Sequence, residues 1–365
     1  MIPRFILIGG FLGAGKSTTV ARLARHYTQQ GAKVGIVTND QTTDLVDTHS
    51  LRRQGFEVGE VAGACFCCSF NELTRTVDQL SAKELPDVII AEPVGSCTDL
   101  VATVIRPLTS VYDAPLAVAP YGVILKPSHG LRILNGETKG GFSPKAEYIF
   151  RKQIEEADFV IINRIDELAA EKVEQLAQLL QQQYPGHAVI RMSAKTGQGF
   201  DAYVQFLQQQ GVFGTRMMEV DYDIYAAGEA ELGWLNSQFQ LSSPAPIDLD
   251  GLLVELVSSL QSRLSAEQAE VAHLKAIGMS DGNYAVANSV SSFTAPELSL
   301  ASTAAVNQAQ VVVNARVAVD PVRLEALVRQ QIADSCAKLG AQAQIETLQC
   351  FRPGRPVPTH RIMVS

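Results

Sequence analysis

The segment Gly10-Phe-Leu-Gly-Ala-Gly-Lys16-Ser17 constrains the fold of this chain more than any other stretch. It fits G-x-x-x-x-G-K-[ST] and lies between an apolar run, Phe5 to Ile8, and a helical pattern over Lys16 to Gln30. In that pattern Val20, Leu23, Ala24 and Tyr27 share one face. The glycines let successive backbone N–H groups close on phosphate oxygens, and the following helix N-terminus adds a favourable dipole. Gly10, Gly13, Ala14, Gly15, Lys16, Ser17 and Thr18 are therefore expected to line a nucleotide's phosphates. Lys16 is expected on the β- and γ-phosphates, and the Ser17 hydroxyl on Mg²⁺. A plain glycine turn is the alternative, and motif and context together argue against it.

A loop of this kind needs a parallel sheet behind it. Strand patterns recur at Lys33 to Thr38, Asp87 to Ala91, within Leu116 to Leu125, Phe159 to Asn163 and Ala188 to Met192. Helical patterns cover Tyr148 to Ala157, Glu171 to Gln183 and Phe200 to Gln209. The alternation implies an α/β P-loop domain with a mostly parallel sheet over residues 1–214. A length of 365 residues leaves room for a second domain. Thr215 to about Glu231 reads as a linker, 215–230. Residues 231–365 carry two strand-helix-strand units, the pattern of a C-terminal ferredoxin-like α+β domain, with an extra hairpin near Tyr284 to Val290. Ser291 to Gln308, rich in Ser, Thr and Ala, reads as an exposed loop. The proline-rich tail after Arg352 is excluded from helix or central strand.

A metal-bound triphosphate also needs a carboxylate at a neighbouring strand end. Glu92 ends the run Val88-Ile-Ile-Ala91 and precedes Gly95, whose N–H is placed to sense a γ-phosphate. Asp40 is a further candidate for Mg²⁺ or the attacking water. Asn163-Arg-Ile-Asp166 resembles the guanine-reading N-K-x-D motif. An Asp166 carboxylate accepting from the N1–H and 2-amino group of guanine would be left unpaired by adenine. Arg164 replaces the usual Lys, and its stem and planar head can still cover a base. Ser193-Ala194-Lys195 resembles the loop that holds the guanine O6. The pair predicts GTP and GDP rather than ATP.

Six cysteines are present, and Cys65, Cys67 and Cys68 fall within four residues. That spacing suits a soft metal better than a disulfide framework, with Zn²⁺, Co²⁺ or another thiophilic divalent ion as candidates. Small buried hydrophobes are the alternative. Cys97 reads first as a packed thiol and second as a fourth ligand. The histidines, including His49 and His360, are scattered, and Cys350 reads as buried rather than as half of a second site. The net charge of −8 disfavours a nucleic-acid partner. No apolar run is long enough for a membrane span, and no signal peptide pattern opens the chain, so a cytoplasmic location is expected.

Taken together, Gly9-Gly-Phe-Leu-Gly-Ala-Gly-Lys-Ser-Thr18, Gly63-Ala-Cys-Phe-Cys-Cys68, Glu92-x-x-Gly95, Gln153 to Asp158 and Asn163-Arg-Ile-Asp166 resemble the CobW-type GTPases, relatives of HypB and UreG. The resemblance covers most of residues 1–214. It implies a GTP-hydrolysing metallochaperone or cofactor-insertion factor, with Lys16 and Ser17 on phosphate and Mg²⁺. It further implies Glu92 as switch carboxylate, Asp166 as guanine reader and Cys65, Cys67 and Cys68 as metal site. The implied partners are a client metalloenzyme or corrinoid protein, or a second copy of the chain. Two other readings stand beside it: a GTP-dependent activator that carries no metal and, more distantly, a P-loop small-molecule kinase.

Overall fold

The computed structural model describes residues 2–40, 48, 51–52, 54–137, 143–290, 292 and 295–363. The chain forms two compact units. One runs to Gly228 and regains the chain from Arg355 onward; the other is Glu229–Gly354.

In the first unit the apolar runs become parallel strands: β1 (Arg4–Gly10), β2 (Val34–Asp40), β3 (Glu57–Ala62), β4 (Val88–Glu92), β5 (Ala117–Val118), β6 (Gly122–Leu125), β7 (Phe159–Ile162) and β8 (Ala188–Arg191). Their order is β3-β2-β4-β1-β6-β7-β8, with β5 paired to the start of β1. Every residue of β4, β6 and β7 is buried, as helices on both faces require. The helices are α1 (Lys16–Gln29), α2 (Phe70–Lys83), α3 (Arg106–Ser110), α4 (Pro127–Leu134), α5 (Pro144–Glu156), α6 (Ala170–Gln183), α7 (Phe200–Leu207) and α8 (Tyr222–Glu229). The core joins Ile6, Ile8, Ile36 and Ile90 of the sheet to Val20, Leu23 and Ala24 of α1. From β1 the chain moves first to the β2 side and later to the β6 side. The strand ends around β1 therefore open a crevice at a topological switch point, the usual place for a ligand in such sheets.

The second unit contains β9 (Gly233–Asp248), α9 (Leu249–Ala266), β10 (Val271–Ser280), β11 (Asn283–Ser289), β12 (Glu297–Leu300), β13 (Ala305–Val317), α10 (Pro321–Lys338) and β14 (Gln342–Phe351). Its antiparallel order is β12-β11-β10-β13-β9-β14. Two strand-helix-strand halves interleave there, so β9 and β13 lie side by side. Leu253, Leu256 and Leu260 of α9 and Leu324, Val328 and Ile332 of α10 share one core with Phe239, Val311 and Val313. Asp248 and Asp320 cap the two helices, accepting from the Asp250 and Val322 N–H groups.

Several sequence expectations are revised. The segment expected as a loop from Ser291 to Gln308 holds β12, and β13 starts at Ala305 because its ladder with β9 extends to Asp248. The expected linker contains α8, and the first unit runs to Gly228. The tail from Arg355 belongs to the first unit rather than to the C-terminal domain, because its hydrogen bonds go to the loops after β3 and β4. Strand β3 and helix α2 were not anticipated. Among the described residues no helix is long and apolar enough to cross a membrane.

Candidate functional site

The phosphate loop takes the shape its glycines allow. Gly15, the N-cap of α1, adopts φ 92°, a left-handed conformation that penalises any side chain. A Cβ there would also lie 2.5 Å from Asn163 Nδ2. Lys16 is buried, with Nζ 3.4 Å from the Phe11 carbonyl oxygen. The Ser17 hydroxyl donates to Glu92 Oε1 at 2.9 Å, so the end of β4 meets the first turn of α1 as expected. Gly95 approaches closely: a Cβ on it would stand 3.0 Å from Lys16 Nζ and 2.7 Å from Leu12 Cδ2. Thr18 is exposed on α1. Asp40 ends β2, but its side chain lies outside the described residues, as does His49.

The base-reading motifs also converge, though Asn163 acts as a tie. Buried at 1 % exposure, it donates from Nδ2 to the Ala14 carbonyl at 2.8 Å and accepts the Ala194 N–H on Oδ1 at 2.8 Å. It thus joins the phosphate loop to Ser193-Ala194-Lys195, and it takes up an N–H of the loop expected to hold the guanine O6. The same loop is held from α1, where the Arg22 guanidinium donates to the Ala194 and Lys195 carbonyls at 2.5 and 2.7 Å. Arg164 takes φ 59° and reaches the Gly13 carbonyl at 3.3 Å, which leaves Asp166 exposed on the next turn.

The cysteine turn hangs from the end of β3 and runs into α2. Asn39, at the end of β2, fixes it by accepting the Phe66 N–H at 2.9 Å and donating to the Val61 and Ala64 carbonyls at 2.8 and 2.7 Å. The sulfurs of Cys65, Cys67 and Cys68 lie within 4.8 Å of one another. The Cys65–Cys67, Cys65–Cys68 and Cys67–Cys68 separations are 2.8, 3.3 and 3.7 Å. Zn–S bonds of ~2.3 Å set tetrahedral edges of about 3.8 Å. One pair already has that spacing, and the tightest needs to open by about an ångström. The donor set therefore fits a soft cation. Hydrogen bonds from Cys67, then Cys68 and Cys97, hold the Cys65 thiol well below the usual range. Cys67 is pushed up by its bond to Cys65, and Cys68 is pushed up to about 11 for the same reason. Cys97, expected first as a packed thiol, is buried and is one of the groups that lower the Cys65 thiol.

Other residues that hold the site were not singled out from the sequence. Gln153, fully buried on α5, donates to the Gly95 and Cys97 carbonyls at 3.0 and 2.8 Å. Glu156, one turn on, accepts the Val101 N–H at 3.0 Å. Burial raises its carboxyl well above the ordinary range. The motif Gln153 to Asp158 was visible, but not its partners. Asp99, in a left-handed conformation and 1 % exposed, accepts from the Tyr222 hydroxyl at 2.8 Å and from Arg361 at 2.7 Å. Burial raises its carboxyl, and the Arg361 and Tyr222 bonds oppose the rise. His360, expected to be solvated, sets its ring edge-on to Phe70 at 5.2 Å. Cys350, on β14 and expected to be buried, is half-buried and donates to the Pro321 carbonyl at 3.1 Å.

The phosphate loop after β1 and the cysteine turn after β3 thus both leave the carboxyl ends of strands of one parallel sheet, which defines the class: a P-loop nucleotide-binding protein carrying a thiol cluster. Residues 4–191, just over half of the chain, match the description CobW/HypB/UreG, nucleotide-binding domain, and the chain belongs to that family. The zinc chaperone YeiR of Escherichia coli K12 is 28 % identical over 188 residues, covering 50 % of this chain and 52 % of the relative. The match therefore spans about half that relative's length. HypB from Helicobacter pylori, in complex with nickel, is similar with a TM-score of 0.41 at 19 % identity, covering 58 % of this chain and 92 % of that one. The Zn(II)-bound YjiA GTPase of E. coli gives a TM-score of 0.37 at 14 % identity, covering 91 % and 99 %.

Proposed function

We propose that the chain binds and hydrolyses GTP, and that the state of the nucleotide governs a transition-metal site at Cys65, Cys67 and Cys68 from which zinc or cobalt passes to a client metalloenzyme. The observation that carries this reading is the trio of converging sulfurs in the sheet that also carries the phosphate loop. The Ser17 hydroxyl and Glu92, 2.9 Å apart, would hold Mg²⁺, which when bound neutralises charge on the β- and γ-phosphates. Lys16 sets its ammonium against the transferring phosphoryl group, and the Gly95 backbone senses that group's departure. Asp166 reads guanine, and Asn163 fixes the distance between base loop and phosphate loop. A path from phosphate to metal follows from the contacts. Gln153 binds the Gly95 and Cys97 carbonyls together, and Cys97 is among the groups that hold the Cys65 thiol low. A shift at Gly95 is thereby delivered to the sulfur cluster, the kind of order change that a γ-phosphate controls in switch loops.

The test is Co²⁺ and Zn²⁺ affinity of the purified chain with GDP and with a non-hydrolysable GTP analogue, repeated on a variant with all three cysteines replaced by Ser. A difference between nucleotides that disappears in the Ser variant supports the reading. Equal affinities in both nucleotide states reject the coupling. If the Ser variant still activates a client enzyme in full, metal carriage is wrong and a nucleotide-driven gate is right.

A further inference from the structure

The tail from Arg355 onward belongs to the first unit and touches the loops that follow β3 and β4. Thr359 spans the cysteine turn: its N–H donates to the Cys67 carbonyl at 2.8 Å, and its hydroxyl donates to the Cys68 carbonyl at 2.9 Å. Two residues on, the Arg361 guanidinium meets the Asp99 carboxylate at 2.7 Å, with the Asp99 side chain only 2 % exposed. The Ile362 N–H then donates to the Ala102 carbonyl at 2.9 Å. Arg355 pairs with Asp223 on α8 at 2.7 Å, and Tyr222 of the same helix donates to Asp99. In four residues, Thr359 to Ile362, the tail therefore ties the turn that carries the metal-binding sulfurs to the turn that follows Gly95.

Burial of an aspartate is costly unless it is paired and hydrogen-bonded, so a chain does not place one under a terminal segment without a compensating partner. Here Arg361 is that partner, and its register along the tail sets where Thr359 falls. With Asp99 and Ala102 as anchors, the Thr359 donors reach two consecutive carbonyls of the cysteine turn. Neither bond involves a sulfur. Both orient the peptide planes on which Cys67 and Cys68 project, which is how an outer layer of contacts fixes ligand geometry at a metal.

We propose that Thr359 and Arg361 are positioning residues of the thiol cluster, and that the tail is a strap setting the spacing between the cysteine turn and the turn after Gly95. The inference rests on the metal-site reading above. On this view the strap keeps the three sulfurs converged before any metal arrives and slows metal loss afterwards.

The experiment uses the full-length chain loaded with Co²⁺ alone, comparing wild type with Thr359→Ala, Thr359→Pro, Thr359→Ser and Arg361→Lys. Thr359→Ala removes the hydroxyl bond and Thr359→Pro removes the N–H bond, whereas Thr359→Ser keeps both. Three quantities are read: the thiolate-to-Co²⁺ absorption spectrum, the rate at which a chelator strips Co²⁺, and amide exchange at Cys68 and Ser69 in the metal-free chain. Thr359→Ala and Thr359→Pro are expected to change the spectrum and to speed stripping about five- to tenfold, the factor for one net hydrogen bond. They should also speed exchange at both amides, as should Arg361→Lys, whose ammonium cannot keep the bonds to both Asp99 and the Met218 carbonyl, while Thr359→Ser stays near wild type. Thermal melting and GDP binding, read in parallel, separate this from general unfolding. A wild-type spectrum, stripping rate and exchange in both Thr359→Ala and Thr359→Pro would overturn the strap while leaving the metal site standing. A wild-type chain that takes up no Co²⁺ would overturn the metal-site reading and the positioning role together.

Discussion

Asn163 offers the sharpest test of how the nucleotide site is held together. Its side chain bridges the Ala14 carbonyl and the Ala194 N–H, each at 2.8 Å, in a place with 1 % exposure. Asn163→Ala leaves both backbone groups buried and unpaired, at about 1–3 kcal/mol each, or about 2–6 kcal/mol in sum. For a domain stable by about 5–15 kcal/mol that is a large share. The structure also says what else occupies the space. The nearest atoms to a Cβ on Gly15 belong to Asn163 alone, Nδ2 at 2.5 Å and Cγ at 3.8 Å. Gly15→Ala should therefore displace the amide and forfeit the same bonds, in addition to about 1–2 kcal/mol for a left-handed alanine. In the Asn163→Ala background the clash is gone and only the conformational cost remains. The two changes should be strongly non-additive, with a coupling equal to the bonds forfeited only once, about 2–6 kcal/mol in the compensating direction. Denaturant unfolding without nucleotide, followed by near-ultraviolet circular dichroism of the tyrosines, reads it. The sole tryptophan, Trp234, lies in the other unit and serves as an internal control. Additive losses would show that Asn163 does not exclude a side chain at position 15, and the bridging role would fall.

Three further outcomes follow. Gly95→Ala drives a Cβ to 3.0 Å from Lys16 Nζ and 2.7 Å from Leu12, so it should weaken binding of a GTP analogue at least tenfold while GDP affinity moves less; an equal loss for both nucleotides would remove Gly95 from γ-phosphate sensing. Burial raises the Glu156 carboxyl well above its ordinary value of 4.5, so the folded chain holds that proton more tightly than the unfolded chain. Its contribution to stability is present in acid and lost as pH rises above about 4.5, so Glu156→Gln should gain on wild type with rising pH in urea melts, and a constant difference would contradict the shift. In the second unit the Arg316 guanidinium stands 4.1 Å from the ring centre of the buried Trp234, so Arg316→Met should cost about 2 kcal/mol and change the tryptophan emission, whereas unchanged emission would place the cation elsewhere.

Chemistry-bearing residues were legible because each belongs to a motif whose spacing is set by local geometry. A phosphate loop must present consecutive N–H groups, so Gly10 to Ser17 reads the same in sequence and in space. Cys65, Cys67 and Cys68 share one turn, so proximity in sequence guaranteed proximity of sulfurs. Strands β4 and β7 were legible because both of their faces are buried. Strand β3 was not, since it lies at a sheet edge with Glu57 and Glu60 in it and no clean alternation of burial. Helix α2 did carry a readable signal, with Phe70, Leu73, Val77 and Leu80 buried at helical spacing.

The remaining gap has a single physical cause. Asn39, Gln153, Glu156 and Thr359 all work by bonding to backbone groups, and a backbone carbonyl or N–H has no residue identity that a sequence can display. Ties between side chains, such as Arg361 with Asp99, join residues as far as 262 positions apart, beyond any local pattern. Such contacts are nonetheless what converts a list of motifs into a site. Buried polar groups are tolerated only when satisfied, so each of these bonds fixes a loop at one separation from its neighbour. Gln153 holding Gly95 and Cys97 with one amide is the clearest case. The turn at Gly95 is thereby tied to the Cys97 carbonyl through one side chain. If nucleotide state does reach the metal, it travels through bonds such as those of Gln153, whose backbone partners no motif displays.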